Sequence, residues 1–187
     1  MNAERVPGLG PTGDHDVTPS LSIVVPVYNE QEVLPEFHRR VTAVLDRLGM
    51  PAEIVYVNDG SRDGSMELLT GLHRADPRVA VIDLSRNFGK EVAMSAGLDH
   101  TRGDAVIIID SDLQDPPELI PDMVRTWQDG YDVVLMRRRT RANESWLKKA
   151  TARAFYRTIG RMGTVTIPED VGDFRLLSAR AVAALRR

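Results

Sequence analysis

The 187-residue chain has no cysteine, which excludes disulfide bonds and thiolate metal sites and permits a cytosolic compartment. No apolar run approaches the roughly 18 residues that a membrane-spanning helix needs. The N-terminus lacks the apolar centre of a secretory signal, so export is not expected. Internal repeats and low-complexity tracts are missing too. What is present is the composition of a soluble globular protein, 42% hydrophobic and 27% charged, in a length that suits one domain.

The formal net charge of -3 conceals an asymmetry. Residues 1–136 hold 11 Lys/Arg against 23 Asp/Glu, whereas residues 137–187 hold 13 against 4. Such a split suggests different partners for the two parts, metal for the acidic one and phosphates for the basic one.

Residues 1–20, rich in Gly, Pro, Asp and Thr, are expected to be a disordered leader. From residue 21 onward, strands alternate with helices. Strands are expected at Leu21–Val27, Glu53–Val57, Val79–Leu84, 105–109, Tyr131–Met136 and Asp173–Leu177. Helices are expected at Glu32–Leu48, from Ser65, at Lys90–His100, Glu118–Gln128 and Trp146–Met162, and again after Ser178. Gly49 closes the first helix, Arg137–Asn143 is a basic loop and Thr164–Gly172 is irregular. This alternation predicts an α/β fold, a mostly parallel sheet with helices on both faces.

The chemistry concentrates where the expected strands end. Val106–Ile109 reads as a strand buried on both faces, and Asp110, Asp112, Gln114 and Asp115 follow it before Pro116-Pro117. Open α/β sheets bind ligands at that carboxyl edge. Two carboxylates two residues apart repel unless a cation or water lies between them. The pair therefore reads either as a cation site or as a solvated turn with an Asx cap. Asp59 offers acceptors for a base N–H or ribose hydroxyls, or else makes an Asx turn before Gly60. The loop Asn58–Ser65 resembles a phosphate cradle, yet it has neither Gly-x-Gly-x-x-Gly nor the Lys-Ser/Thr of a P-loop. Lys90, after Asn87-Phe88-Gly89, either brings a cation toward an anionic ligand or is solvated.

Five blocks carry a resemblance. Pro26-Val-Tyr-Asn-Glu30, Asn58-Asp-Gly-Ser61, Ser85-Arg-Asn-Phe-Gly-Lys90, Asp110-Ser-Asp-Leu-Gln-Asp-Pro-Pro117 and Gly172-Asp-Phe-Arg-Leu176 occur in this order in glycosyltransferase family 2. Within that family the chain is most similar to the polyprenyl-phosphate glycosyltransferases, which include dolichol-phosphate mannose synthases and bactoprenol glucosyltransferases. The likeness runs from about Leu21 to Arg187. It implies a GT-A catalytic domain over 21–187 and a nucleotide-diphosphate sugar donor. It also implies truncation before a membrane-spanning part, because the relatives continue into such helices.

The same resemblance implies roles for particular residues. Tyr28, Glu30 and Asp59 contact the nucleoside, and Pro26, Lys90, Asp110, Ser111 and Arg138 complete the donor site. Asp110, Asp112 and Gln114 surround Mg²⁺ or Mn²⁺, hard ions that suit oxygen ligands. Asp112, Asp173 and Arg175 form the catalytic set, with Arg175 and Arg138 near phosphates. Ser111 departs from the family's usual alanine.

The implied reaction is inverting transfer of a hexose to polyprenyl (undecaprenyl) phosphate at the cytoplasmic face of the inner membrane. A phosphate acceptor is already an anion, so Asp173 is not required as a general base. UDP-glucose is favoured by the wording of the third and fourth blocks, with GDP-mannose the alternative, since Asp59 satisfies either base. Between Arg137 and Arg161 nine Lys/Arg face one acid, Glu144, and together with Trp146 and Tyr156 they suit an anionic membrane surface; the bland alternative is a solvated helix. Nucleic acid is not an expected partner, for lack of a binding motif. The resemblance weakly favours a homo-oligomer. Rival readings are a family 2 transferase acting on a polysaccharide hydroxyl, a sugar-phosphate nucleotidyltransferase and a non-catalytic nucleotide-sugar-binding module.

Overall fold

The computed structural model describes residues 2–7, 20–137 and 171–186. Its centre is β2 (Leu21–Val27), Leu, Ile and Val interrupted by Ser22 and Pro26, whose seven residues are all buried. Branched side chains favour extended backbone, and burial on both faces requires cover on both faces. β2 pairs in parallel with β3 (Ala52–Asn58) and with β5 (Ala105–Ile108), and β4 (Val79–Asp83) continues in parallel beyond β3. On the other side β7 (Val171–Ser178) runs antiparallel to β5 and to β6 (Tyr131–Arg137). The order is β1-β6-β7-β5-β2-β3-β4, with β1 (Asn2–Pro7) at one edge. β2, β3, β4, β5 and β6 share one direction, so the sheet is mostly parallel, as expected.

Alternation along the strands sends side chains to two cores. Ile23, Val25, Ile54, Tyr56 and Ile107 pack with Phe37, Val41 and Val44 of α1 (Leu34–Leu48) and with Met123 and Val124 of α4 (Ile120–Gln128). Val24, Val106 and Ile108 face the opposite way, toward Met94 of α3 (Lys90–His100) and Val182 of α5 (Ala179–Leu185). A Cβ at Gly97 would fall 2.4 Å from Val24 Cγ1, so glycine lets α3 lie directly on β2. α2 (Ser65–Ala75) covers the β3–β4 end.

Several boundaries differ from the periodic pattern. α1 starts at Leu34, with a proline in its first turn. Pro117–Leu119 forms a single 3₁₀ turn, and α4 starts at Ile120 because Pro121 has no N–H to give and suits only a first turn. β7 starts at Val171, inside the stretch expected to be irregular, and Arg137 ends β6 instead of opening the basic loop. Ser178 caps α5 as expected, its hydroxyl accepting from the Ala181 N–H at 3.2 Å.

The leader is corrected at its start. Asn2–Pro7 pairs antiparallel with β6 from Asn2↔Arg137 to Pro7↔Tyr131. A bare strand edge leaves a row of backbone donors and acceptors, and almost any extended segment can satisfy them, whatever its composition. The basic loop beyond Arg137 and the helix expected over Trp146–Met162 lie outside the described residues. Among the described residues, no helix is long and apolar enough to cross a membrane.

Candidate functional site

Because β2, β3 and β5 are parallel neighbours, their carboxyl ends lie side by side. The loops leaving them, with the loop that follows β4, enclose a cavity of about 240 Å³. Pro26 lines it from the end of β2, Tyr28 and Glu30 from the first loop, Asp59 from the second, Lys90 from the start of α3 just after the third, and Asp110, Ser111 and Asp112 from the fourth. Eight residues singled out in sequence thus share one wall. Val27, Asn87 and Gly89 complete the lining.

The first two loops are tied into one body. Asn29 stands at φ 56, a left-handed conformation that asparagine tolerates better than most residues. Its Oδ1 accepts the Arg62 N–H at 2.8 Å, and its own N–H donates to Ser61 Oγ at 3.0 Å. The Glu30 N–H donates to Ser65 Oγ at 2.9 Å, and Gln31 Oε1 accepts the Gly64 N–H at 2.6 Å. Tyr28 and Glu30 therefore stand on a loop whose backbone is anchored at both ends. These polar residues looked like ordinary turn formers, and no local signal showed that they would pair across loops.

Asp59 lines the cavity and also makes contacts that neither reading of it foresaw. Only 3% exposed, it accepts the N–H of Phe88 at 2.7 Å on Oδ1 and that of Gly89 at 2.9 Å on Oδ2. It clamps the third loop against the second. The local turn bond belongs instead to Asn58, whose Oδ1 accepts the Ser61 N–H at 3.2 Å. Gly60 makes the approach feasible: its φ is +64°, and a Cβ there would lie 2.4 Å from the carbonyl carbon of Arg86. Each oxygen of Asp59 keeps further acceptor capacity, and the residue lines the cavity.

In the fourth loop, Asp110 Oδ2 receives the Lys90 ammonium at 2.6 Å. Asp112 Oδ1 accepts the Gln114 N–H at 2.9 Å, the Asx turn of the bland reading, yet Asp112 also lines the cavity. Leu113 between them has φ 61 while its side chain packs on the main core. For a branched apolar residue that backbone costs about 1–2 kcal/mol, which burial of its side chain offsets. After this reversal Gln114 is not among the cavity-lining residues, contrary to its expected place beside Asp110 and Asp112.

The cavity is electronegative. Partial burial raises the Glu30 pKa above its ordinary value, and the charges of Asp112, Asp110 and Asp63 raise it further. Among the described residues no three His, Cys, Asp or Glu side chains converge as a ready metal cage. Two adjacent carboxylates in a negative field fit a hard divalent ion that takes its other ligands from a substrate's phosphates and from water.

Arg175 lies opposite Ile108 in the β5–β7 ladder. Its Nε is buried and, among the described residues, has no hydrogen-bond partner. A buried guanidinium donor without an acceptor costs about 1–3 kcal/mol. Asp173 lies two residues before it in β7. Its side chain, like Arg138, falls outside the described residues.

An acidic cavity at the carboxyl edge of an open, mostly parallel sheet lies where folds of this class bind their ligands. The family model of glycosyl transferase family 2 matches residues 22–186, and the chain belongs to that family. A glycosyltransferase of uncharacterised function from Synechocystis is 47% identical over 91% of this chain and 54% of its own length. A bactoprenol glucosyl transferase of Shigella phage SfX is 46% identical over 89% of this chain and 54% of its own. The chain thus spans about half the length of these relatives.

Among solved structures, glucosyl-3-phosphoglycerate synthase from Mycobacterium tuberculosis, in complex with Mn²⁺, UDP and phosphoglyceric acid, aligns with TM-score 0.62 at 21% identity, covering 86% of this chain and 56% of that one. A Pyrobaculum calidifontis mannosyltransferase in complex with GDP-mannose and Mn²⁺ aligns with TM-score 0.59 at 19% identity, covering 93% and 50%. The fold is the GT-A fold, as the resemblance implied.

Proposed function

We propose that this chain carries the donor site of a metal-dependent, inverting glycosyltransferase. It moves a hexose, glucose in preference to mannose, from a nucleotide-diphosphate sugar to a polyprenyl phosphate at the cytoplasmic membrane face. The observation that carries this is the one cavity joining Tyr28, Glu30, Asp59, Lys90, Asp110 and Asp112. The relatives named bactoprenol glucosyl transferase support the acceptor and the sugar.

In this reading Tyr28, 43% exposed at the cavity wall, packs on the base, and the remaining acceptor capacity of Asp59 faces the nucleoside. Asp110 and Asp112 would hold Mg²⁺ or Mn²⁺, whose chemistry is to offset negative charge on the leaving diphosphate. A phosphate oxygen of the acceptor attacks the anomeric carbon from the face opposite the leaving group. The bond from that carbon to the β-phosphate oxygen breaks, and the nucleoside diphosphate leaves with the electron pair. The acceptor is already ionised, so no base is needed to deprotonate it. The guanidinium of Arg175 offsets the repulsion between the two phosphate groups as they approach. The basic residues from Arg137 to Arg161 draw the chain to anionic headgroups, each contributing on the order of 1 kcal/mol near the surface.

The test follows melting temperature with UDP-glucose or GDP-mannose and Mn²⁺, then radiolabel transfer from each donor into vesicles containing undecaprenyl phosphate. UDP-glucose is expected to give the larger stabilisation, because a ligand that binds the native state raises its melting point. Label should become lipid-extractable only when the lipid phosphate is present. Transfer to a polysaccharide hydroxyl with none to the lipid would overturn the acceptor. Absence of stabilisation by either donor would overturn the site.

A further inference from the structure

Lys90 occupies the first position of α3, where the partial positive charge of the helix terminus disfavours a cation. Helix preference therefore does not explain it, and its partner does: its ammonium lies 2.6 Å from Asp110 Oδ2 at the cavity wall. On the neighbouring Asp112, Oδ1 accepts the Gln114 N–H. No convergent cage of three His, Cys, Asp or Glu side chains exists among the described residues. Asp110 thus has a cation of the chain's own beside it, carried on a flexible four-carbon stem.

We propose that Lys90 is a resident counter-cation that competes with the divalent ion for Asp110, so that ion and diphosphate must enter together. The incoming diphosphate draws the ammonium from Asp110 onto a phosphate oxygen. That movement frees Asp110 for the ion and gives the diphosphate a second positive neighbour. The inference rests on the donor-site reading above and adds an order of assembly to it. Linkage then requires that nucleotide tighten the ion and the ion tighten nucleotide by the same factor. Much of that factor comes from one lysine. The exchange also keeps a bare divalent ion from occupying the site ahead of donor.

The test is a titration with Mn²⁺, read as loss of the free-ion paramagnetic signal, with and without saturating UDP, on the wild-type chain, Lys90→Met and Lys90→Arg. In the wild type, UDP is expected to tighten Mn²⁺ about tenfold or more, within the usual range of coupling between sites. Lys90→Met should bind Mn²⁺ alone about tenfold more tightly, and its gain from UDP should shrink to match. Lys90→Arg, which keeps the charge, should stay near the wild type. Unchanged UDP-free affinity in Lys90→Met, with UDP-dependent binding retained, overturns the counter-cation role and leaves the donor site standing. Failure of all three proteins to bind Mn²⁺ even with UDP overturns both.

Discussion

Replacing Asp59 by asparagine tests whether this carboxylate is chiefly a structural clamp. The change is nearly isosteric, yet only one acceptor oxygen remains where two N–H groups, of Phe88 and Gly89, arrive at 2.7 and 2.9 Å. A hydrogen bond to a charged acceptor contributes about 1.5–3 kcal/mol, and a buried N–H left unpaired costs about 1–3 kcal/mol. Relief from burying a charge at a site only 3% exposed offsets part of this. The net expectation is a loss of about 2–3 kcal/mol, or roughly 5–10 °C in melting temperature for a chain of this size. Thermal unfolding by circular dichroism reads the global loss. Hydrogen exchange at the Phe88 and Gly89 amides reads its location. A weaker affinity for nucleotide is expected on either view and decides nothing. If the melting temperature moved by less than 2 °C and both amides stayed protected, the clamp reasoning would be wrong.

Gly60→Ala should cost more than 2 kcal/mol, since left-handed backbone and a 2.4 Å approach to Arg86 both oppose a Cβ; urea unfolding and loss of UDP binding check it together. Glu30→Gln should stabilise the metal-free protein at neutral pH. The raised pKa of Glu30 means that its ionisation, as pH rises through that value, costs stability; comparison of melting at pH 7 and pH 4 should show the gain only at pH 7. His38 donates to or accepts from the Tyr56 hydroxyl at 3.0 Å, and burial holds its pKa below the usual 6.5. Above pH 6.5 it is neutral folded or unfolded, and below that the unfolded chain takes up the proton first, so its contribution falls as pH drops through the folded pKa. His38→Gln should therefore show a flatter stability profile between pH 7 and 5. Arg175→Met should leave stability unchanged or raised, since it removes a buried unpaired donor, while radiolabel transfer to the lipid falls by at least tenfold; a lower melting temperature would contradict it.

Much of the fold was legible in the chain because backbone stereochemistry writes it locally. The 3.6 period of Leu34, Phe37, Val41, Val44 and Leu45 is that of one face of a helix, and the β-branched run Val106–Ile108 reads as a strand buried on both faces. The order of strands and helices then required a mostly parallel sheet, and parallel strands bring their terminal loops to one edge. That is why the loops bearing Tyr28, Glu30, Asp59, Asp110 and Asp112 were expected at one edge, while the grouping of these residues and Lys90 as one donor site came from the family resemblance; all six line the cavity.

Which partner each polar group takes was settled only by the tertiary structure. Asp59 read as a ligand contact or a turn residue, and its clamping role appeared only when the third loop delivered two N–H groups to it from 29 and 30 residues away. Lys90 found Asp110 across 20 residues, Gln114 fell outside the wall after a left-handed Leu113, and Asn2–Pro7 became a strand because β6 had an open edge. Side-chain periodicity is a property of a few adjacent dihedral angles and survives in the sequence. Hydrogen bonds and ion pairs between distant loops depend on which donors and acceptors remain unsatisfied once the sheet has formed, and no local stretch of residues records that.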